Sequence, residues 1–168
     1  MDPRLRGDDD GHAPAVRSPA LLAAGLLVAA AGVFVVTDYM RVVAIFAPGA
    51  DATPLAERIE RGQRSVFFAH HADYAAATTA LSPAAALEPA RRAAHYLLDA
   101  RLMMAWAKAY AAIGDLERAR FIAARLREFH NQNAAEFFAE CDAPRAPGAE
   151  RPFQCDPPAR AMGYQDFE

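Results

Sequence analysis

An uncharged run from Ser18 to Thr37 limits what this chain can fold into more than any other feature of the sequence. The run reads SPALLAAGLLVAAAGVFVVT and holds about 20 residues, which as a helix would be about 30 Å long, the hydrocarbon thickness of a bilayer. The helical pattern continues past the run until Pro48 and Gly49 end it. The sequence therefore predicts a transmembrane helix with its extension over residues 18–47.

A cleaved secretory signal is the competing interpretation of this run. The apolar region of such a signal is usually about 7–15 residues long, follows a basic leader and ends at an Ala-x-Ala-like site. Here the run is longer, Asp38 and Tyr39 follow it, and the leader contains an acidic triplet at residues 8–10. These features favour a membrane anchor over a signal.

The arginines on either side of the run predict its orientation. Arg4, Arg6 and Arg17 precede it, whereas only Arg41 follows it within about 20 residues. Because basic residues are retained on the cytoplasmic side, residues 1–17 are expected to be a cytoplasmic leader. The excess of Arg and Ala is typical of a GC-rich bacterial genome. We therefore expect a single-pass protein of the bacterial inner membrane whose C-terminal domain lies in the periplasm.

The length, charge and motifs of the chain exclude several classes of protein. With 168 residues it has room for about one domain, so separate cofactor-binding and substrate-binding modules are excluded. The formal net charge of −3 argues against nucleic acid as a partner. The sequence contains no G-x-S-x-G, H-E-x-x-H, Walker or dinucleotide fingerprint, and we expect no cofactor.

The part of the chain after the run reads as helices. It shows almost no alternation of β-branched residues, which predicts an all-α domain over residues 52–141. Thr53 is expected to cap the first helix, with Pro54 at its first position and an end near His71. The apolar side of this helix comprises Leu55, Ile59, Val66 and Phe67.

The next two helices are separated by a proline break. The second is predicted to begin around Asp73 and to stop at Ser82 and Pro83. Ser82 is predicted to cap the third, which must accommodate Pro89 and reaches Leu98.

Residues 99–129 form the clearest unit, a predicted antiparallel hairpin of two helices. Asp99 and Asp115 are expected to cap the helices, and Gly114 to end the first one in a left-handed conformation. The residues expected to pack the hairpin are Leu102, Trp106, Tyr110, Gly114, Ala119 and Leu126, and the same buried faces are expected to continue to Ile113, Leu116 and Phe129. Small and large residues alternate as in a tetratricopeptide-like unit, although no repeat of about 34 residues is present.

The chain after the hairpin is predicted to form one more short helix. Asn131 or Asn133 is expected to start it, and it covers Ala134 to Glu140. Residues 142–168 are rich in proline and are expected to be an irregular tail.

Cys141 and Cys155 are the only cysteines. A structural metal site needs four ligands at short spacings, which these two do not provide. His70 and His71 are adjacent, so on a helix they point about 100° apart and cannot chelate one metal from one face. We therefore expect no metal. In the oxidising periplasm a disulfide across this loop would contribute roughly 3 kcal/mol. We predict that Cys141 and Cys155 form a disulfide, the alternative being two unrelated free thiols.

Four polar residues are candidates for contacts with a ligand or a partner. Asp99 with Arg101, and Glu136 near Arg127, could bind a polar ligand. Helix capping and surface ion pairing explain the same residues equally well. The sequence offers no self-sufficient active site, and we predict no catalytic residue.

Two segments resemble the C-terminal region of a known family. They are DARLMMAWAKAYAAIGDLERARFIAARLREFHNQNAAEFFAEC, followed by PFQC, and TDYMRV directly after the apolar run. The resemblance is to the bacterial membrane-bound virulence-factor polymerase and protein O-oligosaccharyltransferase family, which is related to the O-antigen ligases and Wzy polymerases. It runs from about Leu21 to Cys155 and is most specific over residues 101–141.

This resemblance implies a pathway. Members of the family are polytopic inner-membrane proteins that transfer lipid-linked glycan to a pilin or another periplasmic protein, or polymerise glycan units. The present sequence corresponds to the last membrane helix and the periplasmic tail. It departs from the family by lacking the large loop that bears the catalytic residues, so none is carried over. The chain is expected to be a C-terminal fragment, a split subunit or a degenerate remnant.

The leading hypothesis is a membrane-anchored periplasmic helical module of a protein O-glycosylation or O-antigen ligase–polymerase system, without catalytic activity of its own. Its expected partners are the inner membrane and a polytopic glycan ligase or a pilin-like acceptor. A general periplasmic scaffold that binds a protein partner is the alternative. A self-sufficient glycosyltransferase is a third hypothesis, against which the missing loop argues.

Overall fold

The computed structural model describes residues 18–47, 53–143 and Gly163. Over these residues the chain is all α-helical, as the sequence predicts, and contains no strand. The described helices are α1 (Pro19–Phe46), α2 (Leu55–Gln63), α3 (Ala69–Thr78), α4 (Leu87–Ala94), α5 (Ala100–Ala112), α6 (Leu116–Glu128) and α7 (Ala135–Asp142). Short 3-10 helices, Pro83–Ala86 and Gln132–Ala134, precede α4 and α7.

The chain divides into two units, Met1–Val36 and Thr37–Glu168. In the first unit the described residues form one helix whose side chains are exposed almost throughout. By length and composition α1 is able to cross a membrane. Its end at Phe46 confirms the expected extent of the helix. Residues 1–17 lie outside the described residues, and the predicted orientation stays a prediction.

The second unit is organised around α5 and α6, which pack as an antiparallel hairpin. Asp99 and Asp115 cap these helices by accepting hydrogen bonds from the backbone N–H groups three residues ahead, at 2.8 and 3.2 Å. Gly114 lies between the helices with a φ of 85°, a conformation that glycine adopts without steric cost. All three local predictions are confirmed.

The core of the second unit lies between α5 and α6, with α4 and α7 packed against them. The predicted packing residues that are buried there are Leu102, Trp106, Tyr110, Ala119 and Leu126. The expected burial of Ile113, Leu116 and Phe129 is wrong, because each lies at a helix end, where it is exposed. Phe121 is buried instead, beneath the guanidinium of Arg125.

The first predicted helix is too long. It ends at Gln63 and not near His71, and Pro54 occupies the cap position without a side-chain cap bond from Thr53. Val66 and Phe67 therefore lie in a loop and are exposed. The helix stops because the backbone N–H groups of this loop bind the carboxylate of Asp38, which competes with helical hydrogen bonding.

The second predicted helix begins too late. α3 starts at Ala69, so Asp73 is an interior residue and not a start. Its buried carboxylate accepts hydrogen bonds from Gln63 Nε2 at 2.8 Å and from Arg92 Nε and Nη2 at 2.9 and 2.7 Å. Because these partners lie on α2 and α4, Asp73 joins three helices.

The third predicted helix is shorter than expected. Ser82 makes no side-chain cap bond, and α4 ends at Ala94 and not at Leu98. Pro89 is tolerated because it lies in the first turn of α4, where a backbone N–H has no partner within the helix. Of the two asparagines expected to start the last helix, Asn131 caps the 3-10 helix that precedes α7, since its Oδ1 accepts from the Asn133 N–H at 2.8 Å, whereas α7 itself has no side-chain cap bond.

Gly62 marks a close approach of α2 to its neighbours. A Cβ at this position would lie 2.6 Å from Ile45 Cδ1 and 2.9 Å from Ala72 Cβ. The Ile45 side chain can rotate, but the Ala72 methyl group cannot, so α3 would have to shift. Gly62→Ala is expected to lower the free energy of unfolding by about 1–3 kcal/mol, measured by thermal unfolding of the full chain in detergent.

Gly32→Ala is the matched control for this substitution, because a Cβ at Gly32 meets no atom within 4 Å. It should leave the unfolding transition unchanged or raise it slightly. Equal unfolding midpoints for Gly62→Ala and Gly32→Ala would show that α2 and α3 do not pack as closely at Gly62 as described.

Candidate functional site

A polar cleft of about 710 Å³ lies between the beginning of α5 and the segment that leads into α7. Its volume is within the range of about 300–1,000 Å³ that is usual for ligand sites. The lining residues are Tyr74, Asp99, Ala100, Arg101, Met104, Asn131, Gln132, Asn133, Ala135 and Glu136. The wall thus combines amides, carboxylates, a guanidinium and a phenol with three apolar side chains, those of Ala100, Met104 and Ala135.

The carboxylate of Asp99 is held from two sides. Its Oδ1 accepts the Leu102 N–H at 2.8 Å as the cap of α5, and its Oδ2 accepts the Tyr74 hydroxyl at 2.7 Å. Burial, and then the hydrogen bond to Asp99, raise the pKa of Tyr74 to about 12. Tyr74 therefore stays a neutral donor, and the pair joins α3 to the start of α5.

The amide wall of the cleft results from a turn after α6. His130 has a φ of 49°, a left-handed conformation that ends the helix and redirects the chain. Asn131 then caps the 3-10 helix, which places three consecutive amides, Asn131, Gln132 and Asn133, beside α5. Amide side chains both donate and accept hydrogen bonds, so this wall suits a ligand rich in hydroxyl or peptide groups.

A second cleft of about 310 Å³ continues the first along α5. The two share Arg101, Met104, Asn133 and Glu136. The second also includes Lys108, whose Nζ donates to Glu140 on α7 at 2.8 Å. Together they form an open polar groove along one side of the hairpin.

The structure brings three of the four predicted contact residues together. Asp99, Arg101 and Glu136 line the cleft. Arg127, which was expected near Glu136, does not line the cleft. Its Nη2 contacts Asp142 at 3.1 Å, and its guanidinium lies 4.2 Å from the centre of the Phe138 ring. Glu136 begins α7 whereas Asp142 ends it, so only the latter reaches Arg127.

Sequence reasoning missed Tyr74 and the amides. Tyr74 lies 25 residues before the carboxylate it binds, and no local pattern marks that pairing. The Asn-Gln-Asn triplet at residues 131–133 was a usable signal, because the expected helix start accounts for one asparagine and leaves the other two amides without an evident structural need.

A buried carboxylate near the end of the apolar run was also missed. Asp38 is 1% exposed. Its Oδ2 accepts the Ser65 hydroxyl at 2.7 Å and the N–H groups of Val66 and Phe67 at 3.0 and 3.1 Å. Arg41 Nη1 approaches its other oxygen at 3.3 Å. Asp38 therefore holds the loop between α2 and α3 against α1.

The cysteines and histidines were considered as a possible disulfide and as possible metal ligands. Cys141 is buried at the end of α7, whereas Cys155 lies outside the described residues, and their pairing stays a prediction. The rings of His70 and His71 are 4.3 Å apart. Within the described part of the chain no three His, Cys, Asp or Glu residues are grouped so that they could hold a metal ion.

The elevated pKa of Tyr74 predicts a pH dependence. Since the folded value of about 12 exceeds the ordinary value of 10.0, the contribution of Tyr74 to stability is complete below pH 10.0 and is lost as the pH rises through about 12. In addition to that of Tyr110, whose pKa is also raised by burial, ultraviolet titration of the folded chain should show a late tyrosinate transition that Tyr74→Phe removes. Asp99→Asn should move that transition towards lower pH. A Tyr74 that titrates with the exposed tyrosines would contradict the cleft geometry.

Over the described residues these observations define a class of protein, in which an apolar helix able to cross a membrane is followed by a helical unit with a polar cleft. A family model described as "virulence factor membrane-bound polymerase, C-terminal" matches residues 10–141, which is most of the chain. The chain belongs to this family, and the resemblance found in the sequence is confirmed. Searches of curated proteins and of solved structures returned no match.

Proposed function

We propose that this chain is the membrane-anchored periplasmic helical module of a protein O-glycosylation or O-antigen ligase–polymerase system, and that it binds a substrate of that system without catalysing transfer by itself. Membership of a membrane-bound polymerase family supports the pathway. The observation that carries the binding role is the polar cleft beside the α5–α6 hairpin. The tetratricopeptide-like spacing of the hairpin is part of the same proposal, because such hairpins commonly present a groove to a partner.

The chemistry of the cleft supports binding over catalysis. Both oxygens of Asp99 are engaged, one as a helix cap and one by Tyr74. The Tyr74 hydroxyl is a poor acid, because its pKa is raised to about 12. The amides and Arg101 hydrogen-bond well to hydroxyl and carboxylate groups. A glycan or a polar acceptor segment fits these groups.

Gene deletion in the native host tests this proposal. Loss of the chain should increase the gel mobility of a glycosylated pilin or periplasmic protein, and the wild-type gene should restore the original mobility. A variant with Arg101→Ala and Gln132→Ala should restore it poorly, since both side chains line the cleft. Arg127→Ala is the matched control, because this arginine lies outside the cleft, and it should restore mobility fully. Unchanged mobility after deletion would contradict the proposal.

A general periplasmic scaffold is the second candidate function. The continuation of the cleft along α5 favours it, because an open groove beside a helical hairpin can accept a partner segment. Co-purification with a secretion or division complex, and not with a glycan ligase, would support this candidate. Transfer from a lipid-linked donor by the purified chain would instead establish catalysis and overturn the non-catalytic part of the proposal.

The predicted disulfide tests the proposed compartment. If residues 141 and 155 are bridged in the periplasm, a thiol-blocking reagent should label neither cysteine of the full chain isolated from its host until a reductant is added. Reduction should then lower the free energy of unfolding by roughly 3 kcal/mol. Two thiols that react without reductant would argue for a reducing compartment.

A further inference from the structure

Exposed apolar side chains lie in the loop between α2 and α3, which we call the Phe67 loop and define as residues 64–68. Val66 is 66% exposed and Phe67 is 53% exposed. Both lie in the second unit, together with exposed apolar residues on the last turns of α1, namely Tyr39, Met40 and Phe46. Such a surface has an energetic cost in water, which calls for an environment that covers it.

The position of the Phe67 loop is set by Asp38. This residue directly follows the uncharged run and is the first charged residue after it. Its carboxylate binds the backbone N–H groups of Val66 and Phe67 at 3.0 and 3.1 Å. The bonds are to backbone N–H groups, and the side chains of both residues are exposed beside the carboxylate. The backbone of Val66 and Phe67 therefore lies beside the turn of α1 at which the uncharged run ends.

We propose that Val66 and Phe67 enter the interfacial layer of the membrane that α1 crosses, so that the Phe67 loop is a second contact of the protein with lipid. The end of a spanning run coincides with the headgroup region, and apolar side chains such as Phe enter the boundary between the headgroups and the acyl chains. Burial of an aromatic and an aliphatic side chain in that layer is favourable, and the charge of Asp38 is covered by the same loop.

The surroundings of the loop fit lipid better than a protein partner. An apolar groove of about 320 Å³ is lined by Tyr39, Val42, Val43, Phe46, Ala47 and His71. Burial, and then repulsion from His70, lower the pKa of His71, so this imidazole is neutral at neutral pH. The ring of Tyr39 packs edge-on against Phe68 at 5.2 Å, and the half-exposed guanidinium of Arg41 lies beside Asp38. An aromatic residue, aliphatic residues and an arginine are the usual composition of a membrane interface.

Quenching by brominated lipids tests this inference on the full chain in phosphatidylcholine vesicles brominated near the carbonyl end of the acyl chains. Phe67→Trp introduces a reporter on an exposed site, while the native Trp106 is buried in the α5–α6 core and gives a constant background. Phe129→Trp is the matched control, because Phe129 is an exposed aromatic residue at the end of α6. The added indole of Phe67→Trp should be quenched about twofold more than that of Phe129→Trp.

A second tryptophan variant ensures that the result does not depend on a single substitution. Val66→Trp should behave like Phe67→Trp, provided that both variants retain the helical circular dichroism of the wild type. Equal quenching of the Phe67→Trp, Val66→Trp and Phe129→Trp variants would overturn the inference. Protection of the loop in native membranes, but no quenching in vesicles of lipid alone, would assign the surface to a protein partner and would also overturn it. The inference depends on α1 being inserted and not on the glycan pathway, so unchanged glycoprotein mobility would leave it standing.

Discussion

Replacing Asp38 with alanine is expected to release the loop between α2 and α3 and to lower the free energy of unfolding of the full chain by about 3 kcal/mol. The substitution removes the acceptor for the Ser65 hydroxyl and for the N–H groups of Val66 and Phe67. A donor that loses its partner in a buried site costs about 1–3 kcal/mol, and partial access of water to the loop limits the total. Asp38→Asn should have a smaller effect, because one oxygen remains to accept.

Hydrogen exchange distinguishes this local release from general destabilisation. In Asp38→Ala the amides of Val66 and Phe67 should exchange much faster in detergent, while the amides of α6 keep their relative order of protection. Asp115→Ala is the control, since it removes a helix cap worth about 1 kcal/mol without touching the loop. If both variants accelerated exchange at Val66 equally, Asp38 would not be the group that holds the loop.

Replacing Leu126 with alanine is expected to destabilise the second unit by about 2–5 kcal/mol. Leu126 lies on α6 within the main core and has no exposed surface. Its truncation leaves a cavity facing α5, and the hairpin cannot collapse to fill it, because α4 and α7 also pack against this core. Thermal unfolding of the full chain in detergent should show the loss as a lower midpoint.

Leu81→Ala is the matched control for Leu126→Ala. Leu81 is fully exposed between α3 and the first 3-10 helix, so the same truncation removes no packing. Its effect should stay within about 0.5 kcal/mol of the wild type. A similar loss of unfolding free energy in the two variants would mean that packing in the hairpin core does not stabilise this unit.

Local interactions explain why the hairpin could be predicted well. The caps at Asp99 and Asp115 involve partners three residues away, and the left-handed turn at Gly114 depends on one residue. Such features can be predicted from a few consecutive residues. The errors at Ile113 and Phe129 arise at helix ends, where the apolar pattern continues but the facing helix does not.

The site was only partly predictable for a related reason. Asp99, Arg101 and Glu136 could be selected as polar residues in helical segments, but the sequence did not show that they share a cleft. That depends on how α7 packs against α5. Tyr74 could not be predicted from the sequence, because its role depends on a hydrogen bond to a residue 25 positions away.

The sequence by itself determined the apolar helix, the all-α class, the hairpin with its caps and the family to which the chain belongs. These follow from charge, periodicity and motifs that act over one or two helical turns. Only the tertiary structure decided where α2 ends and which polar groups line the cleft. The physical reason is that the carboxylate of Asp38 binds backbone N–H groups 28 and 29 residues away, and this competition overrides the helical tendency of residues 64–68.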